Sequence, residues 1–202
     1  MNIGIDIDGV LTNDDDYILD CTSKYCYENS LDFFENPYAY EYAKLNWNEE
    51  TINKYRDIYF DDYVDNEPVR KFASEVIKKL KEDGHKIYII TARHKSHDET
   101  PDGKNMRQRI KSWLDINEII YDKLVFATAP KTKELIENKI NLMIEDSPNM
   151  IPFMKDIVDV FCYDTRYNQE IKYDNVTRVF SWYDIYNRIK NRLNIFLSSR
   201  FT

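Results

Sequence analysis

Short, nearly continuous apolar runs alternate along this chain with longer stretches of helical periodicity. That alternation limits the possible architectures more than any other feature. The β-type runs cover residues 3–6, 86–91, 123–127, 141–145, 158–162 and 177–180. Strands this uniformly apolar need cover on both faces. Between them, Val69, Phe72, Ala73, Val76, Ile77 and Leu80 fall on one helical face, with Asn66 and Pro68 expected to open that helix and Gly84 to close it. A second helix is expected over 104–115 through Met106, Ile110, Trp113 and Leu114. Shorter ones should follow Lys131 and Ser147, the latter with Ser-Pro as N-cap and first turn, and a last one should cover about 181–193. Strand and helix in this rhythm predict an α/β fold, a Rossmann-like parallel sheet with helices on both faces.

One stretch interrupts the rhythm. Residues 13–65 hold no buried-strand pattern but two helix-like ones, the first through Ile18, Cys21, Thr22 and Tyr25, the second through Ile52, Tyr55, Tyr59 and Phe60. An interruption of roughly 50 residues is too long for an ordinary connecting loop. The expected division is a core of 1–12 and 66–202 with a helical cap over 13–65. A chain of 202 residues, 43% hydrophobic and 32% charged, has room for one domain with such an insertion.

Charge and cysteine content narrow the surroundings. The net charge is -8 with no Lys/Arg-rich block, so neither a nucleic acid polymer nor a membrane surface is an expected partner. Cys21, Cys26 and Cys162 show no zinc-ligand spacing and read as reduced thiols. With no apolar run long enough to span a bilayer, the cytoplasm is the expected location.

In a parallel α/β sheet, ligands gather at the carboxyl ends of the strands. The first strand ends in Asp6-Ile-Asp8-Gly9-Val10, the second in Thr91 and the fourth in Glu145-Asp146, while Lys131 opens the helix after the third. Carboxylates, a hydroxyl and an ammonium therefore converge on one rim. Packed carboxylates repel unless a cation neutralises them. Hard oxygen ligands suit Mg²⁺, which also accepts substrate phosphate oxygens.

These residues resemble the haloacid dehalogenase (HAD) superfamily. Asp6-Ile-Asp8-Gly9-Val10-Leu11-Thr12 is similar to its first motif, Thr91 to its second, Lys131 to its third and Glu145-Asp146 to its acidic fourth, all in family order. The resemblance implies a Mg²⁺-dependent phosphatase. Asp6 would be the nucleophile. Asp8 would be the general acid and base, its backbone carbonyl also binding the metal. Thr91 and Lys131 would hold the phosphoryl oxygens, with Lys133 as a rival for the second role. Asp6, Asp8 and Asp146 would bind the metal, with Glu145 behind them or as an alternative ligand. An acid at Asp8 favours phosphate-ester hydrolysis over dehalogenation, because only the ester's leaving oxygen needs a proton.

A narrower resemblance, carried by Thr91-Ala92-Arg93-His94, Lys131, Ile144-Glu145-Asp146 and Tyr163-Asp-Thr-Arg-Tyr167-Asn168, is to bacterial nucleotidase-like HAD proteins related to the 5′(3′)-deoxyribonucleotidases. It implies a small phosphorylated substrate, a nucleoside monophosphate, with Arg93 as a candidate substrate contact. A phosphatase of a sugar phosphate or other small metabolite is the alternative, and a non-catalytic phospholigand-binding protein the alternative from another class. Aromatics crowd the expected cap, among them Phe33, Phe34, Tyr38, Tyr40 and Tyr42, and then Trp47, Tyr55, Tyr59, Phe60 and Tyr63. They read chiefly as the cap's own core, with one or two free to stack on a base. His94 and His97 read as solvated, and 163–168 as a surface loop.

Overall fold

A computed structural model describes residues 1–32, 36, 38–40 and 47–198, the side chains of 193–198 excepted. Six parallel strands form one sheet: β1 (Asn2–Ile5), β2 (Lys86–Thr91), β3 (Lys123–Phe126), β4 (Leu142–Glu145), β5 (Asp159–Tyr163) and β6 (Val176–Val179). Their order across the sheet is β3-β2-β1-β4-β5-β6. The order reverses between β1 and β4, whose register pairs Ile5 with Ile144. The residues that follow these two partners are therefore side by side at the reversal, where a crevice opens in folds of this kind.

The runs of β1, β2, β4 and β5 are buried on both faces because alternate residues feed two cores. Ile87, Ile89, Leu142, Ile144 and Phe161 point into one, together with α3 (Ala73–Glu82), α4 (Pro101–Ile116) and α7 (Trp182–Ser198). Ile90, Met143, Val160 and Cys162 point into the other, which is closed by α5 (Thr132–Glu137) and the short α6 (Ile151–Met154). On that second face β1 carries Gly4. A Cβ there would lie 2.7 Å from Met143 Sδ, so any larger residue would displace the Met143 side chain.

Between β1 and α3 lie α1 (Asp14–Glu28) and α2 (Glu49–Asn66). A single antiparallel bridge joins Thr12 to Val69 where the chain leaves and rejoins the sheet region. Arg70 reinforces this stem, donating to the carbonyls of Thr12 (2.8 Å) and Gly9 (3.0 Å). The far end of α2 is tied to α4: Arg109 pairs with Asp61 and Asp65, and Trp113 Nε1 donates to the Glu67 carbonyl at 2.9 Å.

Two expected boundaries move. Asn66 and Pro68 do not open the next helix. Asn66 ends α2, Val69 is taken by the bridge to Thr12, and α3 starts only after Phe72, which is left-handed at φ 68°. The helical spacing that includes Val69 thus continues past the true helix start, because a bridge residue and a helix residue bury the same face. Likewise Ser147 caps a turn, its hydroxyl accepting from Asn149 N at 3.3 Å, and α6 begins at Ile151.

Leu80 is wholly buried against the sheet, whereas its neighbour Lys79 is half-buried, its ammonium beside Glu75. Leu80→Ala is expected to cost ~2–5 kcal/mol in urea unfolding, and Lys79→Ala no more than ~0.5 kcal/mol.

Candidate active site

Asp6 directly follows β1, and its N–H donates to the Ile144 carbonyl at 3.1 Å. That bond fixes Asp6 beside Glu145 at the end of β4. Lys131 precedes α5 in a left-handed conformation, φ 67°, which turns its side chain inward; only 2% of it is exposed. Its Nζ lies 2.6 Å from Asp6 Oδ2 and 2.8 Å from Glu145 Oε2. The remaining oxygens are held by backbone: Asp6 Oδ1 accepts from Ile7 N at 2.8 Å, and Glu145 Oε1 from the N–H groups of Asp146 and Ser147, both at 3.2 Å. Lys133 instead faces solvent near Glu137.

Asp146 accepts a short hydrogen bond from the Tyr167 hydroxyl, and its carbonyl accepts from Asn168 Nδ2 at 2.8 Å. Gly9 passes behind it with φ 74°. A Cβ there would lie 2.2 Å from Asp146 Oδ2, so the left-handed turn and the close approach both require glycine. Burial, then the charge of Glu145, pushes Asp6 well above the usual carboxylate range, with Lys131 opposing. Burial and the same neighbour raise Asp146, joined by Asp6. For Lys131 burial disfavours the charge, but the two carboxylates outweigh it and hold the ammonium above its ordinary value. Asp6, Glu145 and Asp146 present oxygens within 4.8 Å of one another, a hard-oxygen donor set able to hold a divalent cation.

Asp8 belongs to a second group, with Asp14 and Glu67. Its Oδ1 accepts from Arg93 Nε at 2.8 Å and from the Tyr63 hydroxyl at 2.8 Å, and forms a short ion pair with Arg93 Nη2. Arg93 is itself buried, 4.9 Å from the Tyr63 ring centroid. Thr91, fully buried at the end of β2, accepts from Arg93 N at 3.1 Å. Arg93 is thus engaged with the protein's own acid. Burial and then Asp14 push Glu67 up to about 11.

Sequence reading missed several of these contacts. Asp14 and Glu67 carry no motif, and α2 alone brings Tyr63 to Asp8. Residues 163–168 are not the surface loop expected: Tyr163 is 5%, Thr165 4% and Asn168 0% exposed. Thr165 N donates to Asn168 Oδ1 at 3.3 Å, and Arg178 Nη1 locks the same oxygen at 2.8 Å, turning polar side chains inward. The signal was present, since the segment already stood out by resemblance. Its polarity concealed a buried network. His94 and His97 are exposed. Among the aromatics, Tyr25, Trp47, Tyr55 and Tyr59 pack on one another at centroid distances of 4.8–6.4 Å. Tyr40 reaches the site, accepting from Ser147 Oγ at 3.2 Å and lying 5.0 Å from the Tyr167 ring. Phe33, Phe34 and Tyr42 lie outside the described residues.

Three comparisons bear on this arrangement. The family described as 5′ nucleotidase, deoxy (pyrimidine), cytosolic type C protein (NT5C) matches residues 1–194. A nucleotidase from Clostridium acetobutylicum is 28% identical over 188 residues, 92% of each chain. Among solved structures, a haloacid dehalogenase-like family hydrolase from Streptococcus pneumoniae superposes with TM-score 0.63 at 10% identity, over 93% of this chain and 97% of that one. A predicted phosphatase from Clostridium acetobutylicum superposes with TM-score 0.59 at 15% identity, over 94% and 98%. Likeness at such identities speaks to fold alone. Among the described residues no helix is long and apolar enough to cross a membrane.

Removing Lys131 leaves buried carboxylates without their cation. In metal-free protein, Lys131→Met is expected to cost ~3–5 kcal/mol at pH 7. The sign of its pH dependence follows from Asp6, whose folded pKa lies above its unfolded one. The folded state then binds the extra proton, so the variant should regain stability as pH falls through that window. Urea unfolding between pH 8 and pH 5 reads both effects.

Proposed function

This chain belongs to the NT5C family of HAD-like nucleotidases, and from that premise we propose a Mg²⁺-dependent phosphomonoesterase that hydrolyses nucleoside monophosphates through an aspartyl phosphate on Asp6. The observation that carries the reading is the buried Lys131 ammonium joining Asp6 to Glu145 beside Asp146. A nucleophilic carboxylate must meet an anionic phosphoryl group, and a fixed cation at its own oxygen removes the repulsion.

In this mechanism an oxygen of Asp6 forms a bond to phosphorus while the bond to the leaving oxygen breaks, splitting one difficult displacement into two. Asp8 gives its proton to the leaving oxygen. In the second half it takes a proton from the water that attacks phosphorus, releasing inorganic phosphate and restoring Asp6. Lys131 neutralises Asp6 and steadies the phosphoryl oxygens, and the Thr91 hydroxyl donates to one of them. The carboxylates of Asp6 and Asp146, with the Asp8 carbonyl, would hold Mg²⁺, which would supply further charge neutralisation. Residues 13–65 act as a cap that excludes bulk water and selects the leaving group.

A nucleoside as leaving group is supported by the family and by the nucleotidase relative. It is also supported by a cavity of about 610 Å³ lined by Tyr59, Phe60, Tyr63 and His94, which borders the acid through the Tyr63 hydroxyl. That volume lies within the ~300–1,000 Å³ usual for small-molecule sites.

Asp6→Asn is expected to abolish p-nitrophenyl phosphate hydrolysis, a loss of at least ~10³-fold, with an unchanged circular dichroism spectrum. Appreciable turnover would remove Asp6 as the nucleophile. In a screen of phosphorylated metabolites with excess Mg²⁺, nucleoside monophosphates should rank first and chelation should stop the reaction. A sugar phosphate at the head of the ranking would replace the nucleotidase reading, and tight binding without turnover would replace the enzymatic one.

A further inference from the structure

The Arg93 guanidinium has one firm carboxylate partner, Asp8, in a place where water cannot substitute for it: the Arg93 side chain is 2% exposed. Under the proposed function Asp8 must turn toward the reacting oxygens near Asp6, and it cannot do so while Arg93 and Tyr63 hold its Oδ1. A buried guanidinium left without an anion costs several kcal/mol. The turn of Asp8 is therefore feasible only if a second acceptor already stands within reach.

Two other carboxyls border Arg93, and they differ. Both oxygens of Asp14 are committed, Oδ1 to the Thr12 hydroxyl at 2.5 Å and Oδ2 to the Tyr63 hydroxyl at 3.2 Å. Glu67 is 1% exposed, and its carboxyl, pushed up to about 11, shares a side-chain hydrogen bond with Asp14 but accepts none from any donor. Arg93 Nη2 stands 3.9 Å from Glu67 Oε2, so an oxygen free to accept already lies beside the guanidinium. The Glu67 backbone carbonyl accepts from Trp113 Nε1 at 2.9 Å. A metal ion is a poor occupant of this group, because the Arg93 cation is already in it.

We propose that Glu67 is a positioning residue: it receives the Arg93 guanidinium when Asp8 turns to the substrate, and so allows the acid to move without stranding a buried charge. The kinetic part of this proposal rests on the phosphatase reading, whereas the exchange of partners does not.

The test combines Glu67→Leu, Asp8→Asn and the double variant in the full chain. Glu67→Leu alone should lower the melting temperature by only a few degrees, since it removes the hydrogen bond with Asp14 but fills the place with an apolar group of similar size. On p-nitrophenyl phosphate with Mg²⁺ it should lower kcat by roughly ten- to hundred-fold with KM unchanged, and Glu67→Gln, which keeps an acceptor, should restore most of the loss. A merely structural role would lower kcat in step with stability and would not predict Arg93 on Glu67 when Asp8 is changed. Asp8→Asn should fold, its crystal structure showing Arg93 hydrogen-bonded to Glu67. The double variant should lose more melting temperature than the two single changes together.

Additive stability losses, an Arg93 that stays off Glu67 in Asp8→Asn, or wild-type kcat in Glu67→Leu would each overturn the proposal. Should Glu67→Leu not fold, the same cycle with Glu67→Gln decides, with a smaller but still non-additive loss expected. If the wild-type chain hydrolyses no phosphate ester at all, the proposed function fails, while the stability cycle and the Asp8→Asn structure still decide the exchange of partners.

Discussion

One ammonium group makes the carboxyl edge of this sheet possible. Asp6 and Glu145 are forced together because β1 and β4 are neighbours in register, and both are buried. Two such carboxylates would repel, and Lys131 between them at 2.6 and 2.8 Å offsets that repulsion. The left-handed backbone at Lys131 aims its side chain at the pair. The strain there is consistent with a site built for charge placement.

Around this pair the acids sort into two groups with different cations. Asp6 and Glu145 flank Lys131, and with Asp146 they present oxygens able to take a metal. Asp8, Asp14 and Glu67 surround Arg93, with Tyr63 bridging Asp8 and Asp14 from α2. In the proposed mechanism that separation would let two aspartates only two positions apart serve different chemistry, one as an attacking carboxylate and the other as a proton carrier. It also ties α2 to Asp8, since α2 supplies Tyr63 and is followed by Glu67, while Arg109 and Trp113 hold that end to α4.

The fold was readable because its signals are local. Most β-type runs are near-continuously apolar, and each lies within a residue or two of its observed strand. The helix faces through Ile77, Leu80, Ile110 and Trp113 followed from spacing alone. Reading failed where one burial pattern serves two structures, as at Val69, which pairs with Thr12 instead of joining α3. It failed again where polar residues are buried: Tyr167 and Asn168 sit in a segment that composition marks as surface.

Sequence by itself determined the α/β class, the identity of the acids, hydroxyl and lysine at the strand ends, and the glycine turn behind them, because each depends on neighbours in the chain. Only the tertiary structure decided which charge pairs with which. Lys131 reaches Asp6 and Glu145, Arg93 holds Asp8, and Glu67 stands without an accepted hydrogen bond. These pairings join residues up to 125 positions apart (131 minus 6), and a buried charge takes the partner that packing brings within a few ångströms, whatever its place in the chain.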